Sequence, residues 1–203
     1  MKEFTERQIE IMEAATQRID RYGIQNLTTK TLAADIGLSE PALYRHFDSK
    51  NDILSSLLTY FTFEMKERLS GITPVAEMGA GEELRAVFDS QLKAFVKKPA
   101  IVSVLFAESI FHYDEDLSRQ VAKIMEIMHK RVLSNVKRGR ESGEYRKVME
   151  DSTLTTIIMG GIRMTILKWK MAGHRSDLVK DGEAVLEGIL TLIENNKQQT
   201  HKL

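Results

Sequence analysis

The chain has 203 residues, with 29 Lys and Arg against 29 Asp and Glu, five His, no Cys, three Pro and 12 Gly; 42% of its residues are hydrophobic and 7% aromatic. That apolar content, with 29% charged residues, supports a core and excludes a disordered or low-complexity chain. The absence of cysteine excludes a disulfide scaffold, a thiolate metal site, a Cys nucleophile and a zinc finger. No apolar run approaches a membrane span, and acidic residues near Met1 replace the apolar run of a signal peptide. The expectation is a cytoplasmic protein with no membrane role. A net charge of zero argues at first sight against a nucleic-acid partner, which usually calls for excess Lys and Arg.

Phe4, Ile9, Met12, Ala15, Ile19 and Tyr22 recur near helical spacing before Gly23, which predicts a first helix over 4–22. Thr28 and Thr29 are caps for a short helix burying Leu32, Ala33 and Ile36; Gly37 closes it, and Ser39 caps a second short helix over Glu40–Phe47. Ser49-Lys50-Asn51-Asp52 opens a longer helix with Ile53, Leu57, Phe61, Met65 and Leu69 as its apolar stripe. Residues 71–82 carry Pro74 and three glycines and read as a loop. Further helices are predicted at about 83–97, 99–111, 115–141, 151–172 and 177–196, and no alternating strand pattern persists. The fold class is therefore all-α: an N-terminal three-helix unit over 1–50, then a larger helical domain over 51–203.

The most informative stretch runs from Thr28 to Lys50. Leu32, Ala33 and Ile36 face Leu38, Leu43 and Phe47, Gly37 permits a sharp turn, and Glu40, Pro41, Ala42, Tyr44, Arg45 and His46 fall on the outer face of the second helix. This is the pattern of a helix-turn-helix. With its Thr, Leu-Ala, Gly-x-Ser, Leu-Tyr-x-His-Phe and final Lys, the stretch from Ile9 to Leu54 resembles the DNA-binding unit of the TetR family of bacterial repressors. Gly139 to Arg146 resembles the turn before that family's two C-terminal helices. The resemblance implies phosphate contacts from Thr28 or Thr29, Tyr44, His46 and Lys50. It implies base contacts from Lys30, Glu40, Pro41, Ala42 and Arg45, with the cap Ser39 among the DNA-facing residues. Free helix N–H groups, hydroxyls, imidazole and ammonium groups suit phosphate; Lys suits guanine, Glu the cytosine amine and Ala a thymine methyl. Glu40 is explained equally well by the dipole of its helix N-terminus.

The family also implies a homodimer, a palindromic double-stranded DNA operator and release by a small effector. Leu154, Ile158, Gly161, Ile162 and Trp169 on one C-terminal helix, with Val185, Leu186, Ile189 and Ile193 on the other, are the expected dimer face. Phe88, Leu92, Phe95, Val102, Leu105, Phe106, Ser109, His112, Met125, Met128, Met159 and Arg163 are candidate walls for a largely apolar effector, although each taken singly suits an ordinary core. In that switch the helix beginning at Lys50 carries the change to the DNA-binding unit. Two alternatives differ in class. Glu108 with His112, and Glu126 with His129, lie on common helical faces, but only one Glu-x-x-His unit exists where a di-iron bundle needs two. No HExxH, P-loop or nucleophile-elbow motif occurs, so no cofactor, metal or catalytic residue is assigned. The other alternative is a helical DNA-binding protein with no small effector.

Residues 1–50 hold seven basic and eight acidic side chains, so the DNA-binding stretch is not basic. Residues 123–147 hold eight basic and three acidic, which reads as a solvated helix face. Zero net charge thus argues against a broad electrostatic grip and for a few placed donors duplicated by dimerisation.

Overall fold

The computed structural model describes residues 4–72, 78–106 and 114–195. Among them every regular element is helical, the one extended pairing being an isolated antiparallel bridge between Tyr145 and Glu194. The α-helices are α1 (Glu6–Tyr22), α2 (Thr29–Asp35), α3 (Glu40–Tyr44), α4 (Lys50–Ser70), α5 (Ala80–Lys97), α6 (Ala100–Leu105), α7 (Glu115–Glu141), α8 (Asp151–Met171) and α9 (Leu178–Ile193). A short 3-10 turn, Ile24–Asn26, links α1 to α2. No helix among the described residues is long and apolar enough to cross a membrane.

Contacts divide the chain into two compact units: Met1–Lys66 with Lys97–Ile124, and Glu67–Val96 with Met125–Leu203. The division does not fall at residue 50, because α4 carries apolar side chains on more than one face. Ile53, Leu54, Leu57, Leu58 and Phe61 are all buried, so its first turns belong to the core of the N-terminal helices. The first unit also buries Ile11, Met12, Ala15 and Ile19 of α1, Leu32 of α2, Leu43, Phe47, and Ile101, Val102 and Val104 of α6. Each such aliphatic side chain contributes about 1.5–3 kcal/mol of transfer free energy.

In the second unit α8 and α9 pack on each other, with Leu154, Ile158, Ile162, Ile166 and Trp169 of α8 and Leu186, Leu190 and Ile193 of α9 buried. Their close approach is set at Gly161, where an added Cβ would lie 3.2 Å from Val185 Cγ1 and 3.4 Å from Ile189 Cδ1.

Helix α5 begins at Ala80, three residues earlier than the glycines suggest. The reason is tertiary: Glu144 Oε2 accepts from the Ala80 N–H at 2.6 Å, and Asn135 Nδ2 donates to the Ala80 carbonyl at 2.8 Å. Beneath this turn, Gly139 admits the Tyr145 ring, which a Cβ would meet at 2.3 and 2.5 Å. The buried Glu83 carboxylate takes Arg131 at 2.9 Å and Arg138 at 2.5 Å, while Arg140 pairs with Asp151. The basic excess over 123–147 is therefore not simply a solvated face: these three guanidiniums are spent on internal pairs that hold the unit together.

Helix α3 stops at Tyr44 where the sequence suggests Phe47; residues 45 and 46 form a turn whose amides still reach back, His46 N to the Leu43 carbonyl at 2.9 Å. Pro99 is the cap residue before α6, and the rest of the helix expected there, over 107–111, lies outside the described residues.

Candidate nucleic-acid interface

The helix-turn-helix is assembled by two hydroxyl caps and one glycine. The Thr28 hydroxyl accepts from the Thr31 N–H at 3.1 Å and the Thr31 hydroxyl accepts from the Thr28 N–H at 3.1 Å, a reciprocal cap that starts α2. Gly37 adopts φ 64°, a left-handed conformation that costs a residue with a Cβ, and turns the chain toward α3. The Ser39 hydroxyl then accepts from Ala42 N at 3.3 Å, with Pro41 in the first turn of α3, where its missing N–H costs nothing.

Helix α1 braces this unit. Gln8 Nε2 donates to the His46 carbonyl at 3.1 Å, and Arg18 pairs with Asp35 at 2.7 Å while donating to the Asn26 carbonyl at 3.1 Å. No local spacing in the sequence marks Gln8 and Arg18, because their partners lie 38 and 17 residues away. At the start of α4, Ser49 accepts from Asp52 N at 3.1 Å. Asn51 donates to Asp114 at 2.7 Å, and the other oxygen of that carboxylate accepts from the first amides of α7 at 2.9 and 3.0 Å.

The expected DNA-facing residues divide by exposure. Thr28, Lys30, Ser39, Pro41, Tyr44 and Arg45 are exposed; Thr29, Glu40, His46 and Lys50 are half-buried. Ala42 is a correction: it is 8% exposed, packed inward beside Leu43, and lacks the surface expected for touching a thymine methyl.

Glu40 is tied down as well. Thr29 Oγ1 donates to Glu40 Oε1 at 2.5 Å and lies 3.3 Å from the Tyr44 hydroxyl. A threonine has one hydroxyl proton and a carboxylate is acceptor-only, so the Tyr44 O–H donates to Thr29 and Thr29 donates to Glu40. This relay joins the first turns of α2 and α3 across the turn.

The residues expected to line an effector cavity fall in both units. Phe88, Leu92, Phe95 and Met128 are buried in the second unit, where Met125, Met159 and Arg163 are half-buried; Val102, Leu105 and Phe106 belong to the first unit. Ser109 and His112 lie outside the described residues. Phe88 and Leu92 line a cavity of about 360 Å3 in the second unit whose rim is charged, with Glu82, Arg85, Asp89, Glu183 and Glu187. There Arg85 holds Glu187 through two contacts of 2.5 and 2.8 Å, lowering that carboxyl below its ordinary range.

The expected dimer residues are corrected too. Leu154, Ile158, Ile162, Trp169, Leu186 and Ile193 are each 4% exposed or less and spend their area inside the chain. Gly161, Val185 and Ile189 are half-buried where α8 meets α9. The outward apolar face is displaced around the helices, to Ile157, Met164, Leu167 and Met171 on α8 and Leu192 on α9. Of the two carboxylate–imidazole pairs, Glu108 with His112 lies outside the described residues, while Glu126 pairs with Lys130 at 2.9 Å. Among the described residues no three His, Asp or Glu groups are placed to hold a metal ion.

A family model for bacterial regulatory proteins of the tetR family matches residues 11–57, and one for the C-terminal region of YsiA-like proteins matches residues 58–192. The chain belongs to the tetR family. Similar proteins include the nucleoid occlusion factor SlmA of Photobacterium profundum, 26% identical over 167 residues covering 81% of this chain and 84% of that one. SlmA of Serratia proteamaculans is 28% identical over 149 residues, 73% of this chain and 74% of that one. Among solved structures, the ketosteroid transcriptional regulator KstR2 of Mycobacterium tuberculosis superposes with a TM-score of 0.82 at 20% identity, covering 96% of this chain and 98% of that one. The transcriptional regulator FadR from Bacillus subtilis in complex with stearoyl-CoA gives 0.71 at 22%, covering 90% and 97%. These likenesses establish the fold of a tetR-family protein. Family membership makes the helix-turn-helix a DNA-binding unit and the chain a transcriptional regulator.

Proposed function

We propose that this tetR-family regulator is a homodimeric repressor that binds a palindromic operator and is released by a small, largely apolar effector. The observation that carries the reading is the outward face of the helix-turn-helix. Lys30, Pro41, Tyr44 and Arg45 stand exposed around two short capped helices, with Thr29 and Lys50 at the edges. In this reading His46 and Lys50 donate to phosphates and set register, Tyr44 joins them by turning its O–H from Thr29 to a phosphate oxygen, and Lys30, Pro41 and Arg45 meet base edges.

With so few donors and no net positive charge, one copy has weak purchase on DNA; a two-fold pair doubles the contacts and sets half-sites about one helical turn or more apart. The exposed stripe of Ile157, Met164, Leu167 and Met171 supports that pairing. Support for an apolar effector comes from the B. subtilis FadR structure, a regulator of this fold in complex with stearoyl-CoA, and from the buried Phe88, Leu92, Phe95 and Met128.

A second reading is a DNA-binding protein that works without a small effector; the relatives named nucleoid occlusion factor support a role at the nucleoid.

The test is fluorescence anisotropy with palindromic duplexes from the DNA upstream of the protein's own gene, with and without a metabolite extract. Specific retention and release by the extract support the effector-controlled repressor; retention without release supports the second reading. Lys50→Ala should weaken binding across all sequences and reduce the salt slope by about 1. Wild-type affinity in both Lys50→Ala and Tyr44→Phe overturns the residue assignment.

A further inference from the structure

A cleft of about 360 Å3 lies wholly within the first unit, among α1, α4 and residues 97–101. Its apolar wall is formed by Ile9, Met12, Leu57 and Phe61. At its rim the Lys98 ammonium sits 3.0 and 3.2 Å from the two carboxylate oxygens of Glu64, 3.8 Å from Glu13, and 5.1 Å from the centroid of the Tyr60 ring. Phe4 meets Tyr60 edge to face, with centroids 6.0 Å apart, which steadies the ring.

Two carboxylates and an aromatic face around one ammonium are the chemistry by which proteins recognise organic cations. Here the cation is supplied by the chain itself, on a long side chain that is 41% exposed, so its pairing is screened by water and contributes little. The remaining charges do not change the sign of the box. Asp20 accepts the Ser103 hydroxyl, and Arg21 and Lys97 are exposed. If Lys98 swings into solvent, the cleft presents Glu13, Glu64 and the π-face of Tyr60 beside an apolar wall.

We propose that this cleft binds a small organic cation with an apolar body, an alkyl- or arylammonium, and that Lys98 is the internal cation it displaces. The site is separate from the residues assigned to DNA and from the buried aromatic residues of the second unit, so it stands whether or not the repressor reading does. The cleft and the helix-turn-helix share α1: Ile9 of the cleft wall adjoins Gln8, which holds the His46 carbonyl.

Isothermal titration of the full chain with benzyltriethylammonium at low salt tests it, with decanoate as the anionic control and thermal melts to confirm that each variant is folded. The cation should bind saturably. Lys98→Ala, or Lys98→Met where the alanine variant melts early, should tighten binding about tenfold by removing the competitor, while Glu64→Gln and Tyr60→Leu should each weaken it about tenfold. No saturable binding to either wild type or the Lys98 variants overturns the proposal. So does tighter binding of decanoate that is lost with Lys98, which would make the ammonium an anion anchor.

Discussion

Glu40 shows how one side chain can serve fold and recognition together. Its carboxylate receives the Thr29 hydroxyl, and Thr29 in turn lies beside the Tyr44 hydroxyl, so the relay fixes the side chains of the first turn of α2 and the end of α3. It also places a negative charge on the face proposed to meet a polyanion. Glu40→Gln keeps an acceptor for Thr29 and removes the charge. At a separation of ~6 Å in water a unit charge is worth about 0.7 kcal/mol, so affinity for a duplex of arbitrary sequence should rise about threefold at low salt, and the gain should fade as salt increases. Anisotropy titrations across a salt series measure both. An unchanged non-operator affinity would show that the carboxylate does not face DNA.

Helix α5 is the element whose start depends most on its partners. Its first residues, Ala80 and Gly81, have little helix-starting character of their own; the Glu144 carboxylate supplies the cap and Asn135 fastens the first carbonyl. The Tyr145 hydroxyl donates to Asn135 at 3.2 Å, and burial pushes that phenol's pKa up, so the residue stays a donor throughout the neutral range. Gly139 is the position that lets the ring in. Gly139→Ala would place a methyl 2.3 Å from Tyr145 and 2.9 Å from the Ala80 Cβ, both on packed elements that have no room to retreat. The substitution should cost about 1–3 kcal/mol through overpacking even though alanine is the better helix former. Urea unfolding monitored by circular dichroism gives the number, and a variant as stable as wild type would mean that the Tyr145 turn relaxes freely.

At the scale of the whole molecule, the outer face of α8 carries a row of exposed apolar side chains among the described residues. Ile157, Met164, Leu167 and Met171 recur at spacings of seven, three and four residues, which keeps them on one helical face, with exposures of 45, 56, 38 and 79%, and Leu192 of α9 is 69% exposed. Gly160 lies within the stripe with no neighbour inside 4 Å, so it is open to a second backbone. An apolar stripe of this kind marks an interaction surface. Met164→Glu should shift the chain toward monomer in sedimentation velocity and weaken operator binding. It should leave the unfolding free energy of the isolated chain within about 0.5 kcal/mol, because the side chain touches solvent and not the core. A dimer that survives this change would move the interface elsewhere.

The TetR-type reading was legible because its carriers are local. Threonine and serine caps, a glycine at positive φ and apolar residues at helical spacing act within a few residues of one another, so Thr28, Gly37, Ser39, Leu43 and Phe47 could be placed from spacing alone. The same is true of α7 and α8, whose bounds follow from long periodic runs. Periodicity shows that a helix has an apolar face, but not whether that face meets the same chain or another. For that reason Ile158 and Trp169 belong to the core, whereas Met164 and Met171 remain outside. Nor does spacing reveal pairings across tens of residues. The burial of Ala42, the capture of Glu40 by Thr29, the early start of α5 under Glu144 and the ammonium of Lys98 between Glu64 and Tyr60 were decided only when distant segments were packed together. Burial and hydrogen-bond satisfaction are properties of that packing, not of any stretch of chain taken alone.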